Sequence, residues 1–500
     1  MTPADRANAR RRDFGALLAL GALTLALAGG LALLNQNIEF DRDEGFTLIK
    51  AWLLGQGHPL YSQIWSDQPP GMTVLLMPVI KVFGNSLFAC RCFVGLFAAM
   101  LVAGFYSLVR HTASAGAAFI AALLLFFSPD FVGLMGSVMI GLPSLACAVL
   151  AAKFLLDYGR TREKRFFFIS LLCYCLSLQI KFITVIYLPG LLIPLLMGPD
   201  GETRLSLKGK KIKPALAWMS LLMLITAAAI LCFAGSNWRQ LVGPHVGVQA
   251  FGETNPEISR RVTTRILLSF LPLAPLLLLS GLKWRRRRPA YWLVPFIWFA
   301  CAMFFLLVHK PIRYHYAVNL AIPAAWLAAL ALPQDLSFMA AIRAWAHPRR
   351  VPFLDLAAPA AALICIPLWV MTRIPQMTAP PLLAPPAWAA PIEPQVLRLL
   401  SEHQSGPDDR LFTDRPMYAF TAGIPMPPSL AVISGKRLNS GYLPADYFMS
   451  RINEEPPRHV ILYRLPPERF SPAFPDFILE NYRLIYRSGP LRYYLRNRGS

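Results

Sequence analysis

The stretch FDRDEGFTLIKAWLLGQGHPLYSQIWSDQPPG, residues 40–71, begins a few residues after the first long apolar run ends. Its start, FDRDEG, places three acids within four residues, and a tyrosine, a tryptophan and a Pro-Pro pair follow. A simple connecting loop needs none of these side chains. Their role depends on which side of a membrane the stretch faces, and the apolar runs and basic clusters around it predict that side.

The composition is that of a membrane protein. The 500 residues are 55% hydrophobic and only 15% charged, whereas soluble domains carry roughly 25% charged residues. The formal net charge of +22 comes from short basic clusters between apolar runs. That distribution is typical of cytoplasmic membrane loops, and no basic patch with stacking aromatics is found, so nucleic-acid binding is not expected.

Apolar runs of sufficient length predict about eleven membrane spans. They lie near residues 14–34, 86–109, 113–128, 139–157, 166–180, 182–198, 213–235, 263–282, 289–308, 315–332 and 353–373. The basic clusters VRHT, YGRTREKR, KGKKIK, KWRRRR and RAWAHPRR follow the second, fourth, sixth, eighth and tenth runs. Because Lys and Arg mark cytoplasmic loops, we expect a multi-pass protein of the plasma (inner) membrane with a cytoplasmic N-terminus.

The stretch at residues 40–71 and everything after residue 373 are then extracytoplasmic. Residues 1–374 are predicted to form the membrane domain, with GFTLIKAWLLG and PPGMTVLLMPVIKVFG as interfacial helices of the first outer loop. Residues 375–394 are rich in proline and predict a linker. Residues 395–500 alternate helical and strand patterns and predict a small α/β domain outside the membrane.

The acids Asp43 and Glu44 open a helical pattern in this loop. One interpretation is that Asp43 caps the helix by accepting hydrogen bonds from exposed backbone N–H groups. The other is catalytic, with a carboxylate in a membrane-adjacent cleft acting as general base on an acceptor hydroxyl or amine. Three acids in four residues exceed what a cap requires, so both interpretations stay open.

A second cluster, HKPIRYHY at residues 309–316, lies at the predicted outer mouth between two spans. Interfacial aromatics and snorkelling side chains are one explanation. Basic residues are scarce on that side, however, and a phosphate would bind them through charge-assisted hydrogen bonds. Three candidate phosphate ligands belong to this cluster: Lys310, Arg313 and His315. A fourth candidate, Lys181, lies between the short apolar runs at residues 166–180 and 182–198.

Residues 40–71 resemble the first outer loop of polytopic GT-C glycosyltransferases, namely the dolichyl-phosphate-mannose protein mannosyltransferase-like and aminoarabinose transferase-like proteins of glycosyltransferase family 39 and its bacterial relatives. The Asp-Glu pair, the Pro-Pro pair and the later FGNSLFACR occur in the expected order, and HKPIRYHYAVNLAIPAAWLAA resembles a later segment. The resemblance implies transfer of a sugar from a polyprenyl-phosphate donor to a protein, lipid or glycan acceptor at the outer face.

In such enzymes an acid of the first outer loop is the base or orients the acceptor, and that role falls on Asp43, with Glu44 beside it. Two positions depart from the family: Gln68 replaces a lysine that in some relatives contacts phosphate, and Gly141 replaces a second acid. No metal ligand is assigned, and a need for a divalent metal stays open. The remaining residues expected in the substrate cleft are Tyr61, Asp67, Gln68, His245, His309 and Tyr314.

Two other functions compete with a transferase. A transporter or flippase for lipid-linked sugars predicts inverted repeats, and none is visible in the sequence. A catalytically impaired subunit of an envelope glycan assembly complex is the second alternative, since Gly141 replaces an acid. ATP-driven transport is not expected, because Walker, dinucleotide-binding and HExxH motifs do not occur.

The topology can be tested with reporters that are active only outside the cytoplasm. A fusion after Gln376 should give signal, and a fusion after Arg288 should not, because the basic cluster there marks a cytoplasmic loop. The reverse pattern would invert the predicted orientation of the whole chain.

Overall fold

The computed structural model describes residues 3–197, 212–246, 256–287, 290–333, 353–373 and 390–497. Over these ranges the chain is mainly helical, with a small sheet near its C-terminus. This is the predicted fold class, a helical membrane part followed by a small α/β unit.

Within the described ranges the helical part contains sixteen helices, which we number in chain order. They are α1 (Pro3–Leu34), α2 (Arg42–Gly55), α3 (Gly71–Phe83), α4 (Leu87–Val109), α5 (Ala115–Phe126), α6 (Phe131–Met135), α7 (Gly141–Thr161), α8 (Lys164–Ile180), α9 (Leu188–Leu196), α10 (Lys213–Ala234), α11 (Trp238–Val246), α12 (Pro256–Ser269), α13 (Ala274–Arg287), α14 (Leu293–Val308), α15 (Ala317–Ala331) and α16 (Phe353–Met371). Short 3₁₀ helices at Phe182–Tyr187 and Tyr314–Tyr316 lead into α9 and α15.

Each predicted span contains helix, but the helices differ in length. Among the described residues, six helical stretches are long and apolar enough to cross a membrane by length and composition. They are Asp13–Leu34, Leu87–Val109, Gly141–Thr161, Lys213–Ala234, Glu257–Arg285 and Ala290–Val308. Shorter apolar helices, including Ala115–Phe126 and Phe182–Leu196, occupy other predicted spans.

The interior of the bundle is closely packed around α4 and α15. Helix α4 packs against α1 and α7 along its length, and every residue of α15 is buried. The indole of Trp298 donates a 2.8 Å hydrogen bond to the carbonyl of Tyr187, and an added Cβ at Gly190 would lie 2.4 Å from the same indole. A buried α15 gives the loop that precedes it a rigid base.

Polar contacts join the N-terminal helix to two connections at one end of the bundle. Asp13 pairs with Arg110 at 3.0 Å, and Asp157 pairs with both His111 and Lys153. The start of α1 and the connections after α4 and α7 therefore lie at the same end, as expected for loops on one side of a membrane.

The first loop is more deeply buried than its amphipathic pattern predicts. Helix α2 has a buried run from Glu44 to Ala51, and both its faces are covered by protein. The helix expected in this loop is therefore present, and the expectation that it lies at the membrane interface stays a prediction. Helix α3 is closer to that expectation, because only four of its side chains are buried: Met72, Thr73, Leu76 and Ile80.

A buried ion pair ties this loop to the bundle. The guanidinium of Arg91 donates to both oxygens of Glu44, at 2.8 and 2.9 Å, and both side chains are almost fully buried. The carboxylate also accepts from the backbone N–H groups of Val138 and Phe40, at 2.8 and 3.0 Å. With both oxygens occupied in this way, the charge of Glu44 is stabilised without water.

The C-terminal part contains helices α17 to α21 and a four-stranded sheet. The strands are β3 (Leu411–Thr413), β4 (His459–Leu462), β5 (Tyr482–Ser488) and β6 (Leu491–Arg496) in the order β3-β4-β6-β5, with only β3 and β4 parallel. The helices are α17 (Pro394–His403), α18 (Met417–Ala422), α19 (Gly435–Asn439), α20 (Ala445–Glu454) and α21 (Phe474–Asn481).

This C-terminal unit is joined to the first loop by a second small sheet and a second buried ion pair. Strand β1 (Ile38–Glu39) pairs antiparallel with β2 (Ala390–Pro391), inside the stretch predicted to be a linker. Glu39 is buried and pairs with Arg415. An added Cβ at Gly45 would lie 2.9 Å from the backbone nitrogen of Met417, so only glycine permits this approach.

Replacing Glu44 with glutamine should destabilise the protein, because it leaves the buried Arg91 without its counter-ion. Breaking such a pair on one side typically costs about 3–5 kcal/mol. The measurement is the thermal unfolding midpoint of the solubilised protein. Glu454→Gln is the control, since Glu454 forms an exposed pair with Arg451 and its loss should change the midpoint little. Equal midpoints for both variants would contradict the anchoring role of Glu44.

Candidate active site

Three segments that are distant in sequence meet at the end of the bundle covered by the C-terminal unit. They are the start of α2, the break between α8 and the following 3₁₀ helix, and the loop between α14 and α15. The ammonium of Lys181 lies 5.1 Å from the ring centre of Tyr316, which joins the second and third segments. The charges of Lys181 and Arg313 both act on the carboxylate of Asp43, which joins them to the first.

The cap of α2 is Asp41, not Asp43. The Asp41 carboxylate accepts a 2.9 Å hydrogen bond from the backbone N–H of Asp43. The interpretation of Asp43 as the cap is therefore wrong. Within the part of the chain that the structure describes, no side chain donates a hydrogen bond to the Asp43 carboxylate, which leaves it available to a ligand.

Asp43 lines an open cavity: its side chain is exposed to solvent although protein surrounds it. Burial alone would raise the pKa of its carboxyl. Positive charge outweighs that effect and holds the pKa below its ordinary value, with contributions from Arg42, Arg313 and Lys181. Asp43 is therefore ionised at neutral pH.

Asp41 has the opposite electrostatic balance. Burial, together with the negative charge of Asp43, raises the pKa of its carboxyl to about 6. Sequence analysis did not assign Asp41 a place in the site, although it is one of the three acids of FDRDEG. The two carboxyl groups interact, and Arg313 acts on both.

The cations around Asp43 are not equivalent. Burial lowers the pKa of Lys181 to about 8, with Asp43 opposing the shift, so Lys181 is a cation at neutral pH. Burial and the charge of Lys181 lower the pKa of His315 to about 3. At neutral pH the neutral imidazole of His315 can donate a hydrogen bond, and its role as a phosphate ligand stays a prediction.

Glu44 does not share the position of Asp43. Its side chain is fully buried and both its oxygens accept hydrogen bonds from Arg91 and the backbone. The expectation of a catalytic Glu44 is corrected on this geometry: its carboxylate faces the bundle and not the cavity.

The predicted cleft residues of the first loop form a compact turn before α3. Tyr61, with a φ of 67°, donates from its hydroxyl to the carbonyl of Gln68 at 2.8 Å. Asp67 lies 3.5 Å from Lys436 of the C-terminal unit. Lys50, which sequence analysis missed, is buried under this turn and donates to Ser66 at 3.2 Å. The signal for Lys50 was a lysine inside the apolar run of α2.

The glycine after the Pro-Pro pair allows this turn to approach the bundle. An added Cβ at Gly71 would lie 2.5 Å from the carbonyl oxygen of Gln179, two residues before Lys181. No other residue type fits that contact without moving backbone. The glycine after the Pro-Pro pair is therefore required by close packing against Gln179.

The other predicted residues are His309, Tyr314, Lys310 and His245. The ring of His309 stacks on Phe305 at 4.6 Å, and Tyr314 lies 5.9 Å below the guanidinium of Arg265. Lys310 is half-buried but is not among the cations that act most strongly on Asp43. His245 lies in α11, but its side chain falls outside the described residues.

A further carboxylate, Asp130, was also missed as a site residue. It stands before α6 with a φ of 61°, and burial raises the pKa of its carboxyl to about 6 while Arg265 and Arg373 oppose that shift. At Gly141, where the resemblance led us to expect an acid, an added Cβ would meet no atom within 4 Å. No other group therefore occupies the position next to Gly141 where the side chain of an acid would begin.

Metal ligands are not grouped in the described ranges, where no set of three or more His, Cys, Asp or Glu side chains is placed to hold an ion. The cavity is instead lined by two carboxylates and several cations. An arrangement of this kind can bind an anion and a hydroxyl or amine side by side.

The fold of the chain is similar to that of two solved proteins. The structure of ArnT from Cupriavidus metallidurans bound to undecaprenyl phosphate is similar, with a TM-score of 0.61 and 13% identity over 97% of this chain and 98% of that one. The archaeal oligosaccharyltransferase AglB from Archaeoglobus fulgidus, in complex with an inhibitory peptide and a dolichol-phosphate, matches with a TM-score of 0.55 and 12% identity, covering 96% and 74% of the two chains.

The family described as dolichyl-phosphate-mannose-protein mannosyltransferase matches residues 67–236. No protein of curated function matches the sequence significantly. The resemblance to GT-C glycosyltransferases is thereby confirmed, and these findings support a membrane glycosyltransferase.

Proposed function

We propose that this protein transfers a sugar from a polyprenyl-phosphate-linked donor to a protein, lipid or envelope-glycan acceptor at the extracytoplasmic face of the plasma (inner) membrane. The observation that carries the proposal is the open carboxylate of Asp43 beside the cations Lys181 and Arg313. The neighbours bound to undecaprenyl phosphate and dolichol-phosphate support a lipid-linked donor.

Donor phosphate binds, in this proposal, to Lys181 and Arg313, with the neutral imidazole of His315 as a hydrogen-bond donor. The ring of Tyr316 lies against Lys181 and keeps its ammonium near the cavity. A polyprenyl phosphate carries its own activation, because the phosphate leaves the anomeric carbon readily once its charge is neutralised. No nucleotide site is therefore required.

Asp43 orients the acceptor and receives its proton. The acceptor oxygen forms a bond to the anomeric carbon, while the bond from that carbon to the phosphate oxygen breaks and its electron pair leaves with the polyprenyl phosphate. The proton of the acceptor hydroxyl passes to the Asp43 carboxylate, which is ionised at neutral pH. Its low pKa favours orienting and charge stabilisation over strong base catalysis.

An impaired subunit remains the second candidate, because Gly141 provides no acid. This candidate is testable by Gly141→Glu, because an added Cβ at this position meets no atom within 4 Å. A large gain in transfer would favour the impaired subunit.

Replacing Asp43 with asparagine should lower kcat by about a hundredfold, because an amide can neither receive the acceptor's proton nor supply negative charge. Asp41→Asn is the matched control: asparagine caps helices as well as aspartate does, so the fold is kept and the loss should stay below about tenfold. Transfer is measured on equal amounts of inserted protein. Full activity in Asp43→Asn would refute its role, and severe loss in Asp41→Asn alone would move that role to Asp41.

Binding of undecaprenyl phosphate should weaken as the pH rises through about 8, where Lys181 loses its proton. The phosphate charge is constant in this range, because its second pKa is about 6. Lys181→Arg should abolish the decline, since arginine stays charged. The measurement is affinity against pH for both proteins. An identical decline in the two would exclude Lys181 as its source.

A further inference from the structure

The C-terminal unit contacts the first loop directly above the cavity. The guanidinium of Arg437 lies 5.5 Å from the ring centre of Trp65, and the ring of Tyr442 lies 6.2 Å from the same indole. The hydroxyl of Tyr442 also donates a 3.1 Å hydrogen bond to the carbonyl of Arg239. Helix α19 and the turn after it are therefore held in a defined position over residues 65–68.

This position brings Lys436 to the cavity. Its ammonium lies 3.5 Å from the Asp67 carboxylate, and its side chain is 35% exposed, so it is accessible to a ligand. Its charge also acts on Lys181 and disfavours protonation of that ammonium. An anion bound at Lys181 would therefore also be attracted by the charge of Lys436.

We propose that Lys436 is a binding residue for the phosphate of the lipid-linked donor, contributed to the site by the C-terminal unit. The inference rests on the proposed function. The ammonium of Lys436 lies beside Asp67, which competes for it, and a phosphate bound by Lys181 and Arg313 receives a further charge-assisted contact from Lys436. The loop itself offers only the neutral Gln68 at this point, so the positive charge comes from another part of the chain.

A purely structural ion pair between Asp67 and Lys436 makes a different prediction. If the pair only docks the C-terminal unit, removing either charge loosens the same contact and weakens donor binding equally. If Lys436 binds phosphate, removing Asp67 takes away a competing carboxylate, and affinity stays the same or rises. The two roles therefore predict opposite results for Asp67→Asn.

The experiment measures binding of undecaprenyl phosphate to the full chain in phosphatidylcholine nanodiscs, with no turnover required. Lys436→Gln should weaken binding about tenfold or more, as expected for one lost charge-assisted contact. Lys436→Arg should restore most of the affinity. Arg483→Gln is the control, because Arg483 is an exposed cation on the edge strand β5 of the same unit.

Equal losses in Lys436→Gln and Asp67→Asn would overturn the proposal in favour of docking, as would unchanged affinity in Lys436→Gln. Failure of the wild-type protein to bind undecaprenyl phosphate would instead refute the proposed function. Inorganic phosphate is tested alone to separate the two sources of phosphate: much weaker binding than that of undecaprenyl phosphate supports a lipid-linked ligand, and equally tight binding overturns it.

Discussion

The buried ion pair between Glu44 and Arg91 is the contact on which the rest of the site depends. Two charges in a dry interior are tolerated only when each polar atom has a partner. Arg91 meets this condition by also donating to the carbonyls of Asn35 and Ile38, at 2.6 Å each. One guanidinium thus fixes the end of α1, strand β1 and the first turn of α2 together.

The geometry of the cavity follows from that anchor. Successive residues of a helix are about 100° apart around its axis, so a carboxylate at position 44 that points into the bundle turns the one at position 43 away from it. The hydrogen bond from the Asp43 backbone to Asp41 fixes the same turn from its N-terminal side. The side chain of Asp43 therefore faces the cavity, while that of Glu44 faces the bundle.

Cavity electrostatics favour an anionic ligand. Burial shifts the pKa values of both Asp41 and Lys181 towards their neutral forms. The opposite charges around them offset this effect of burial only in part. Arg42 and Arg464 add further positive charge near Asp43. A phosphate would supply the missing negative charge, while the open side of Asp43 leaves room for a polar acceptor. This division of one cavity into a cationic and an anionic part is consistent with a transfer between two substrates.

Much of the fold could be predicted from the sequence, because hydropathy and basic clusters depend on local composition. The acids of FDRDEG and Lys181 could also be recognised, since charges beside apolar runs need a reason. The distinct roles of Asp43 and Glu44 could not, because adjacent acids look equivalent until Arg91 is placed. The neutral state of His315 was hidden for the same reason: it depends on burial and then on Lys181, which is distant in the chain.

The C-terminal unit packs directly against the helix that carries Asp43. Asp414 accepts hydrogen bonds from the backbone N–H groups of Tyr463, Arg464 and Leu465, at 3.0, 2.7 and 2.7 Å. The turn fixed in this way places the guanidinium of Arg464 5.6 Å from the ring centre of Phe46 in α2. Since Glu39 pairs with Arg415 beside the same helix, the unit rests on α2 through buried charges at more than one point. A displacement of the unit would separate these buried charges from their partners, which is energetically costly. The position of the unit is therefore coupled to that of Asp43 through α2.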